Sequence, residues 1–364
     1  MSFLYVTNLG KKDNVRRCNV RASNMEMLRI VAMILVLIVH ANFLSLGKPT
    51  QDEILSQPFF TFWRFFIQSL SLICVNVFIF ISGWFGIRPC LKRFCELLFQ
   101  VLFIIVSLYV INLCVYRDNV WGWNEWWYAF TFFKGNWFVL SYIVLYVLSP
   151  ILNVFSEKAS RQQYKNLLMG FFIVQTLFGF IHNTGFFSYG YSPLSFIGLY
   201  LLARYVRLYP NKLTGRSKIF DICTYIGLSL FTTICSMILS LITQNTDRLV
   251  FSYTSPLVIV AALHFFLLFT KIKLQNGVVN WVASSAFAVF LLHTDSLFFI
   301  PYYLEPIKRC FINESFSMFL VNTTMRIFCV YVIAILIDKI RIFIWQSLCR
   351  LYYTITYMNV SKTI

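Results

Sequence analysis

The chain has 364 residues, of which 59% are hydrophobic and only 12% charged, with a net charge of +17 and a mean hydropathy of +0.71. Apolar runs long enough to cross about 30 Å of hydrocarbon recur along its length. This excludes an ordinary soluble enzyme and a disordered chain, and leaves no long polar stretch for a separate soluble domain. Ten cysteines show no CxxC pair and no Cys/His cluster with metal spacing, so neither a zinc nor a redox site is expected.

An all-α, polytopic helix bundle with about ten transmembrane helices is predicted: Met25–Leu46, Phe66–Ile87, Cys95–Tyr116, Asn136–Phe155, Tyr164–His182, Ser192–Leu208, Ile219–Thr243, Val250–Thr270, Asn280–Ile300 and Met318–Ile337. Residues 1–24 read as a basic cytoplasmic tail, 25–345 as the membrane domain and 346–364 as a second cytoplasmic tail. No cleavable signal peptide is expected, because the first apolar run is a full span. With this layout 22 of the 31 Lys and Arg fall on one side and seven on the other. The positive-inside rule then places both termini in the cytoplasm. The charge is a topology signal, and no nucleic-acid partner is expected.

In the first span, NMEMLRIVAMILVLIVHANF, Arg29 and His40 are eleven residues apart. Eleven steps of about 100° return close to the starting direction, so both share one face, about 16 Å apart along the axis. Glu26 belongs to the same broad stripe. Two residues after Asn24, it also suits a helix N-terminus, and Arg29 is near enough to the surface to snorkel. His40 has no such account: a polar ring past the helix midpoint needs a partner or a cavity. His293, in SSAFAVFLLH of span nine, should lie at a similar depth. Asp295 is a candidate histidine partner or a solvated helix end. Both spans read as unbroken helices around their histidines.

Span two ends CVNVFIFISGWFGIRP, placing Ser82 and Gly83 near the inner surface with Arg88 beyond. Close helix packing is the simpler account of Ser82 and Gly83, and Arg88 suits both the topology and an anionic ligand. Gly47–Phe65 is expected as an outer loop. Arg117–Gly135, with WGWNEWWYAF, suits the lipid–water boundary, as does Trp137 at the start of span four. The basic loop Ala203–Lys218 fits an anionic lipid surface. Arg326 stands in the outer half of span ten without a topological reason. His182 and His264 read as structural.

Taken together, these strings resemble the acyltransferase-3 family of integral-membrane O-acyltransferases over nearly the whole chain. The resemblance rests on Arg29 and His40 in span one, on VFIFISGWF (Phe78, Ser82, Gly83), on NWFVLSYIVLY and on SSAFAVFLLH. It implies a catalytic His40, an essential Arg29, and an acyl-CoA donor, acetyl-CoA above all, used as substrate with no tightly bound cofactor. It also implies an acceptor hydroxyl on a surface polysaccharide or lipid-linked glycan. The segment after Ser82-Gly83 is short, so Arg88 departs from the family's pattern. Arg29, Arg88 and Ser82 are then expected at the donor, and His293, Trp137, Arg326 and Glu26 around the acceptor or the reacting carbonyl. His40 would act as general base or carry the acyl group. The setting would be a bacterial inner membrane. The rival reading is an exporter or flippase of glycan or lipid-linked sugar, for which inverted repeats and broken helices would speak.

Overall fold

The computed structural model describes residues 22–115, 122, 127, 136–182, 184–210, 212, 214–243, 251–295 and 298–361. The basic N-terminal tail and most of the Trp-rich segment 117–135 therefore lie outside the described residues.

Fourteen α-helices are described: α1 (Ser23–Val39), α2 (Gln51–Ser56), α3 (Pro58–Ser71), α4 (Cys74–Phe85), α5 (Leu91–Val115), α6 (Trp137–Lys158), α7 (Arg161–Gln175), α8 (Pro193–Leu208), α9 (Lys218–Ile242), α10 (Pro256–Thr270), α11 (Gly277–Ala283), α12 (Ala286–Thr294), α13 (Glu305–Asn313) and α14 (Phe316–Ser361). Wider π turns follow α1 (His40–Leu44) and α7 (Thr176–Ile181) and precede α13 (Phe299–Leu304). No strand occurs among the described residues. Seven helical segments are long and apolar enough to cross a membrane: Ser23–Leu44, Pro58–Phe85, Leu91–Cys114, Trp137–Lys158, Arg161–Ile181, Lys218–Ile242 and Gly277–Thr294. The remaining three predicted spans are occupied by α8, α10 and α14.

Local chemistry sets these boundaries. Thr50 and Glu53 cap α2 reciprocally, side chain to backbone in both directions. Pro58, Pro193 and Pro256 stand in the first turns of α3, α8 and α10, where a missing N–H costs nothing. Pro150 lies inside α6. It cannot donate to the Tyr146 carbonyl four residues back, and the Ser149 hydroxyl fills that place at 2.7 Å. Gly86, at φ 76°, ends α4.

Helix α1 is the hub. It packs against α3, α4, α10, α11 and α12, and Leu28, Ala32 and Leu37 are completely buried. α4 lies against α8 so closely that a Cβ on Gly83 would stand 2.4 Å from the Tyr200 carbonyl oxygen.

Three sequence expectations change. The second apolar segment begins at Pro58 rather than Phe66, because Pro58 opens a helix and PFFTFWRFF is apolar enough to continue it. Arg64 is consequently not in an outer loop but buried on α3, at 6% exposure. The span carrying His293 is interrupted at Ser284-Ser285, between α11 and α12. There the Ser284 hydroxyl bonds the Trp281 carbonyl, and Lys339 Nζ donates to both Ser284 Oγ and that carbonyl, so side chains take over from the helical ladder. Finally, α14 runs without interruption to Ser361, through Ile337 and through the segment expected as a separate tail. Its 46 residues make it about 69 Å long at 1.5 Å per residue.

Gly83→Ala should force α4 and α8 apart and destabilise the protein by about 1–3 kcal/mol, read as a lower Tm in detergent. Gly170→Ala, where an added Cβ meets nothing within 4 Å, should be neutral.

Candidate active site

α1 keeps α-helical geometry up to Val39 and widens into the π turn at His40. Widening displaces the regular N–H to carbonyl pairing, and such turns cluster at functional sites. The turn is braced from the Phe299–Leu304 π turn opposite. Tyr303 Oη donates to the Leu37 carbonyl at 2.7 Å, and Ser45 Oγ donates to the Leu304 carbonyl at 2.7 Å. His40 thereby faces His293 near the end of α12, with His40 Nδ1 3.0 Å from His293 Nε2. Phe299 closes edge-on against His40 with ring centroids 5.2 Å apart. The ring of Tyr303 lies 5.9 Å from that of His293.

The hydrogen bonds fix the tautomers. His293 Nδ1 lies 2.6 Å from the Val289 carbonyl, which can only accept, so this nitrogen carries a proton. In the neutral ring, His293 Nε2 is then an acceptor. His40 Nδ1 must be the donor across the pair, which leaves the lone pair of His40 on Nε2. Among the described residues nothing bonds that Nε2. His293 is completely buried whereas His40 is partly exposed. One histidine holds the other in the form of a base. Asp295 is not the partner, since both His293 nitrogens are otherwise engaged.

At the other end of α1, Arg29 and Glu26 form a buried ion pair, Nη1 to Oε2 2.5 Å, at 5% and 2% exposure. Arg29 does not snorkel, and Glu26 is its counter-ion rather than a free helix-end carboxylate. Arg29 opens onto a cavity of about 90 Å³ lined also by Phe78, Ser82, Arg88, Arg93, Glu96, Gln100, Tyr142 and Tyr146. Ser82, whose hydroxyl donates to the Phe78 carbonyl at 3.2 Å, and exposed Arg88 thus both belong to this cavity with Arg29. Its α5 wall is locked to α14: Gln100 and Arg341 both donate to Asp338 Oδ1, at 2.9 and 2.7 Å, and Arg341 lies 3.5 Å from Glu96. At the rim, the fully exposed Cys90 thiol is held below its usual range by the backbone N–H groups of Arg93 and Lys92. The Cys90 backbone is tied to the Tyr146 hydroxyl.

A second cavity shares Arg29 and Phe78 and continues along α1 past Met33 and Val36 to Val75, Phe138, Phe287 and Phe290. It holds about 20 Å³, room for roughly one water, and is almost wholly apolar. Phe290 is in ring contact with His293 at 6.0 Å. A narrow apolar sleeve therefore runs from the polar cavity toward the imidazole pair and ends at Phe290, the ring that contacts His293.

Trp137 lies one shell further out, 4.5 Å from Tyr191 and 5.8 Å from Phe138, which in turn packs on Phe290 at 5.2 Å. Arg326 is partly buried on α14 with an unpartnered Nε, and no described hydrogen bond or ion pair brings it to either imidazole. His264 is bonded to buried Asp221, at 3.0 Å, alongside Lys271. Sequence reasoning missed Tyr303, Phe299, Tyr142, Arg93 and the Asp338–Arg341 cluster. Only the last had a visible signal, two opposite charges three residues apart at the end of an apolar run.

A family model described as an acyltransferase domain matches residues 23–337. The chain belongs to the acyltransferase-3 family. No curated protein and no solved structure matches it. It is an integral-membrane acyltransferase, and the matched region opens at α1 and includes both histidines and the arginine cavity. Among the described residues no group of three or more His, Cys, Asp or Glu side chains is placed to hold a metal ion.

An acyltransferase needs a base on the hydroxyl or a nucleophile for the acyl group, and His40 Nε2 has the free lone pair for either. His293→Phe removes the acceptor for His40 Nδ1–H and should lower acyl transfer about 100-fold or more with little change in Tm. His293→Gln, whose amide oxygen accepts the same hydrogen bond, should keep distinctly more activity. Equal rates for the two variants would show that the pair does not set the tautomer.

Proposed function

We propose that the protein moves an acyl group, acetyl by preference, from acyl-CoA to a sugar hydroxyl of a surface polysaccharide or lipid-linked glycan. The observation that carries this reading is the His40–His293 hydrogen bond with its free Nε2, placed along α1 from an arginine-lined cavity. In this reading the chain spans a bacterial inner membrane about ten times with both termini in the cytoplasm, and the Arg29 cavity faces the cytoplasm. The segregation of basic residues supports that orientation.

The donor is polyanionic. Its phosphates meet Arg88 and Arg93 at the rim, and Arg29 receives the inner part of the molecule. At about 20 Å³ the sleeve admits neither a nucleotide nor a pantetheine arm as it stands, so in this reading its phenylalanine side chains move aside as the thin arm enters. At the far end, His40 Nε2 takes the proton of the acceptor hydroxyl as its oxygen attacks the thioester carbonyl. The C–S bond then breaks, and the CoA thiolate recovers the proton from His40. While His40 is doubly protonated, its Nδ1–H bond to His293 Nε2 becomes charge-assisted and stronger, which favours the charged intermediate over the resting state. Should His40 carry the acyl group, Nε2 attacks the carbonyl and the C–S bond breaks with release of the CoA thiolate; the acceptor hydroxyl then attacks the acyl-imidazole, the C–N bond breaks, and the hydroxyl proton passes to the thiolate. Trp137 and Arg326 stand as acceptor-side candidates, Trp137 through a ring face suited to a sugar. The break at Ser284-Ser285 is a feature an exporter would share, but it is braced by Lys339, and membership of an acyltransferase family favours the enzyme.

His40→Ala in purified protein should abolish transfer from radiolabelled acetyl-CoA to glycan at unchanged Tm, and an active variant would overturn the assignment. Arg29→Gln should raise KM for acetyl-CoA about 10- to 100-fold. A second measurement needs no turnover. Cys90 should be alkylated at a lower pH than an ordinary exposed thiol, because its thiolate forms more readily, and CoA bound at the neighbouring rim should slow that reaction. Unprotected Cys90 at saturating CoA would argue against donor entry there.

A further inference from the structure

Between α7 and α8 three successive residues take left-handed backbone angles: Ser188 at φ 43°, Tyr189 at 54° and Gly190 at 96°. Only the glycine does so freely. A serine and a tyrosine there are strained, and such strain persists where the surroundings over-determine it, above all at functional sites. The Tyr189 carbonyl accepts from Tyr253 N and from Ser252 Oγ, both at 3.1 Å. The Tyr191 carbonyl accepts from Ser141 Oγ at 2.9 Å. Gly190 lies so close to Tyr253 that an added Cβ would stand 2.5 Å from the Tyr253 Cβ. Residues of α6 and of the approach to α10 thus converge to fix one turn ahead of α8.

The turn sets the place of Tyr191. Its ring stands 4.5 Å from Trp137, the first residue of α6, and 5.5 Å from Tyr253, at 66° and 77°. The rings meet as the walls of a corner do, not as a stack. Tyr191 is 43% exposed, Trp137 is half-buried and Tyr253 is buried, so the open side of the corner carries Tyr191 and Trp137. Ser188 and Tyr189, both half-buried on the turn, add hydroxyl groups beside them. The segments 136–141, 187–196 and 251–256 contain no Asp, Glu, Lys or Arg. The corner adjoins the imidazole site from two directions. Trp137 is in ring contact with Phe138, Phe138 with Phe290, and Phe290 with His293. Phe251, two residues before Tyr253, packs at 5.3 Å on Phe43 of the His40 π turn. Aromatic residues that only anchor a lipid boundary need no strained turn braced from two other segments.

We infer that Tyr191 and Trp137 form a subsite for an uncharged sugar ring of the acceptor, and that the Ser188–Gly190 turn is the device that sets the angle between them. A sugar presents an apolar face of C–H groups and a rim of hydroxyls. Aromatic rings cover the first, and the hydroxyl groups of the turn exchange hydrogen bonds with the second. A sugar carboxylate or a phosphate would meet no counter-ion in these three segments, so the ring that fits is neutral. Trp137 belongs to α6 and Tyr191 to the turn, so the shape of the corner follows the turn and not either helix alone. Only the assignment of the sugar to the acceptor rests on the proposed acyl transfer; the sugar subsite itself does not.

The test titrates the full-length protein in detergent with glucose, galactose, N-acetylglucosamine and glucuronate, and follows tryptophan fluorescence. At least one of the three neutral sugars should shift the emission of the wild type, glucuronate should not, and Trp137→Phe should abolish the shift. Tyr191→Ala should bind that sugar about tenfold or more weakly, and Tyr191→Phe, which keeps the ring, should stay within about threefold of the wild type. Gly190→Ala removes no side chain from the subsite, yet a Cβ at φ 96° displaces the turn, so it should weaken binding as Tyr191→Ala does. Gly185→Ala, where an added Cβ meets nothing within 4 Å, should bind as the wild type does. Tyr191 is exposed, so its two variants keep the proposal testable if Gly190→Ala does not fold. No response to any neutral sugar, or equal binding by Tyr191→Ala, overturns it and returns the rings to a boundary anchor. Tighter binding of glucuronate overturns the neutral assignment. Tyr191-dependent sugar binding without any acyl transfer would sink the proposed reaction and leave the subsite standing.

Discussion

One hydrogen bond organises the candidate site, that between His40 Nδ1 and His293 Nε2. In a low-dielectric interior two imidazoles cannot both carry a charge, and each neutral ring has one donor and one acceptor. The Val289 carbonyl claims the His293 proton, and the remaining assignments follow by exclusion. The π turn at His40 and the bond from Tyr303 to Leu37 place the ring within reach. α1 lies at the centre of the packing and carries both Arg29 and His40, the two ends of the proposed reaction path.

The same economy governs Arg29. A guanidinium inside an apolar bundle requires a counter-ion, and Glu26 provides one from the same helix, one turn away. The pair is thus independent of the packing of neighbouring helices, and Arg29 keeps its remaining donors for the cavity. Arg341 is held differently, between Asp338 and Glu96, and its role is to tie α14 to α5. Of these two buried arginines on apolar helices, one is placed to meet a ligand and one to brace a wall, and burial alone does not tell them apart.

Much of this was legible in the residues. The eleven-residue interval between Arg29 and His40 gave a shared face, and similar distances from the inner ends of their spans gave His40 and His293 similar depths. The four strings that resemble acyltransferase-3 proteins named the family. What stayed hidden had physical reasons. The π turn at His40 is braced by Tyr303 on Leu37 and by Leu304 on Ser45, pairs 266 and 259 positions apart, and no local pattern announces it. The break at Ser284-Ser285 depends on Lys339 reaching across from α14. Arg64 was placed in a loop because its neighbours up to Phe65 were counted as linker, although Pro58 had already opened the helix. Partners from distant parts of the chain decided each of these points, whereas the amphipathic and charge patterns that set the general architecture are local.

The bore of the sleeve between Arg29 and the imidazoles has an energetic meaning of its own. With the donor entering as proposed, a charged substrate is brought toward a titratable pair inside an apolar bundle, an arrangement close to that of a proton conductor. Conduction needs an unbroken file of hydrogen-bonded waters. The stretch walled by Met33, Val36, Val75, Phe138, Phe287 and Phe290 offers space for about one and almost no polar group to hold it. Unoccupied, it is an insulating gap in the wire, and when a substrate arm fills it the gap is filled by carbon and sulfur rather than water. The proposed acyl transfer would then proceed without opening a path for protons.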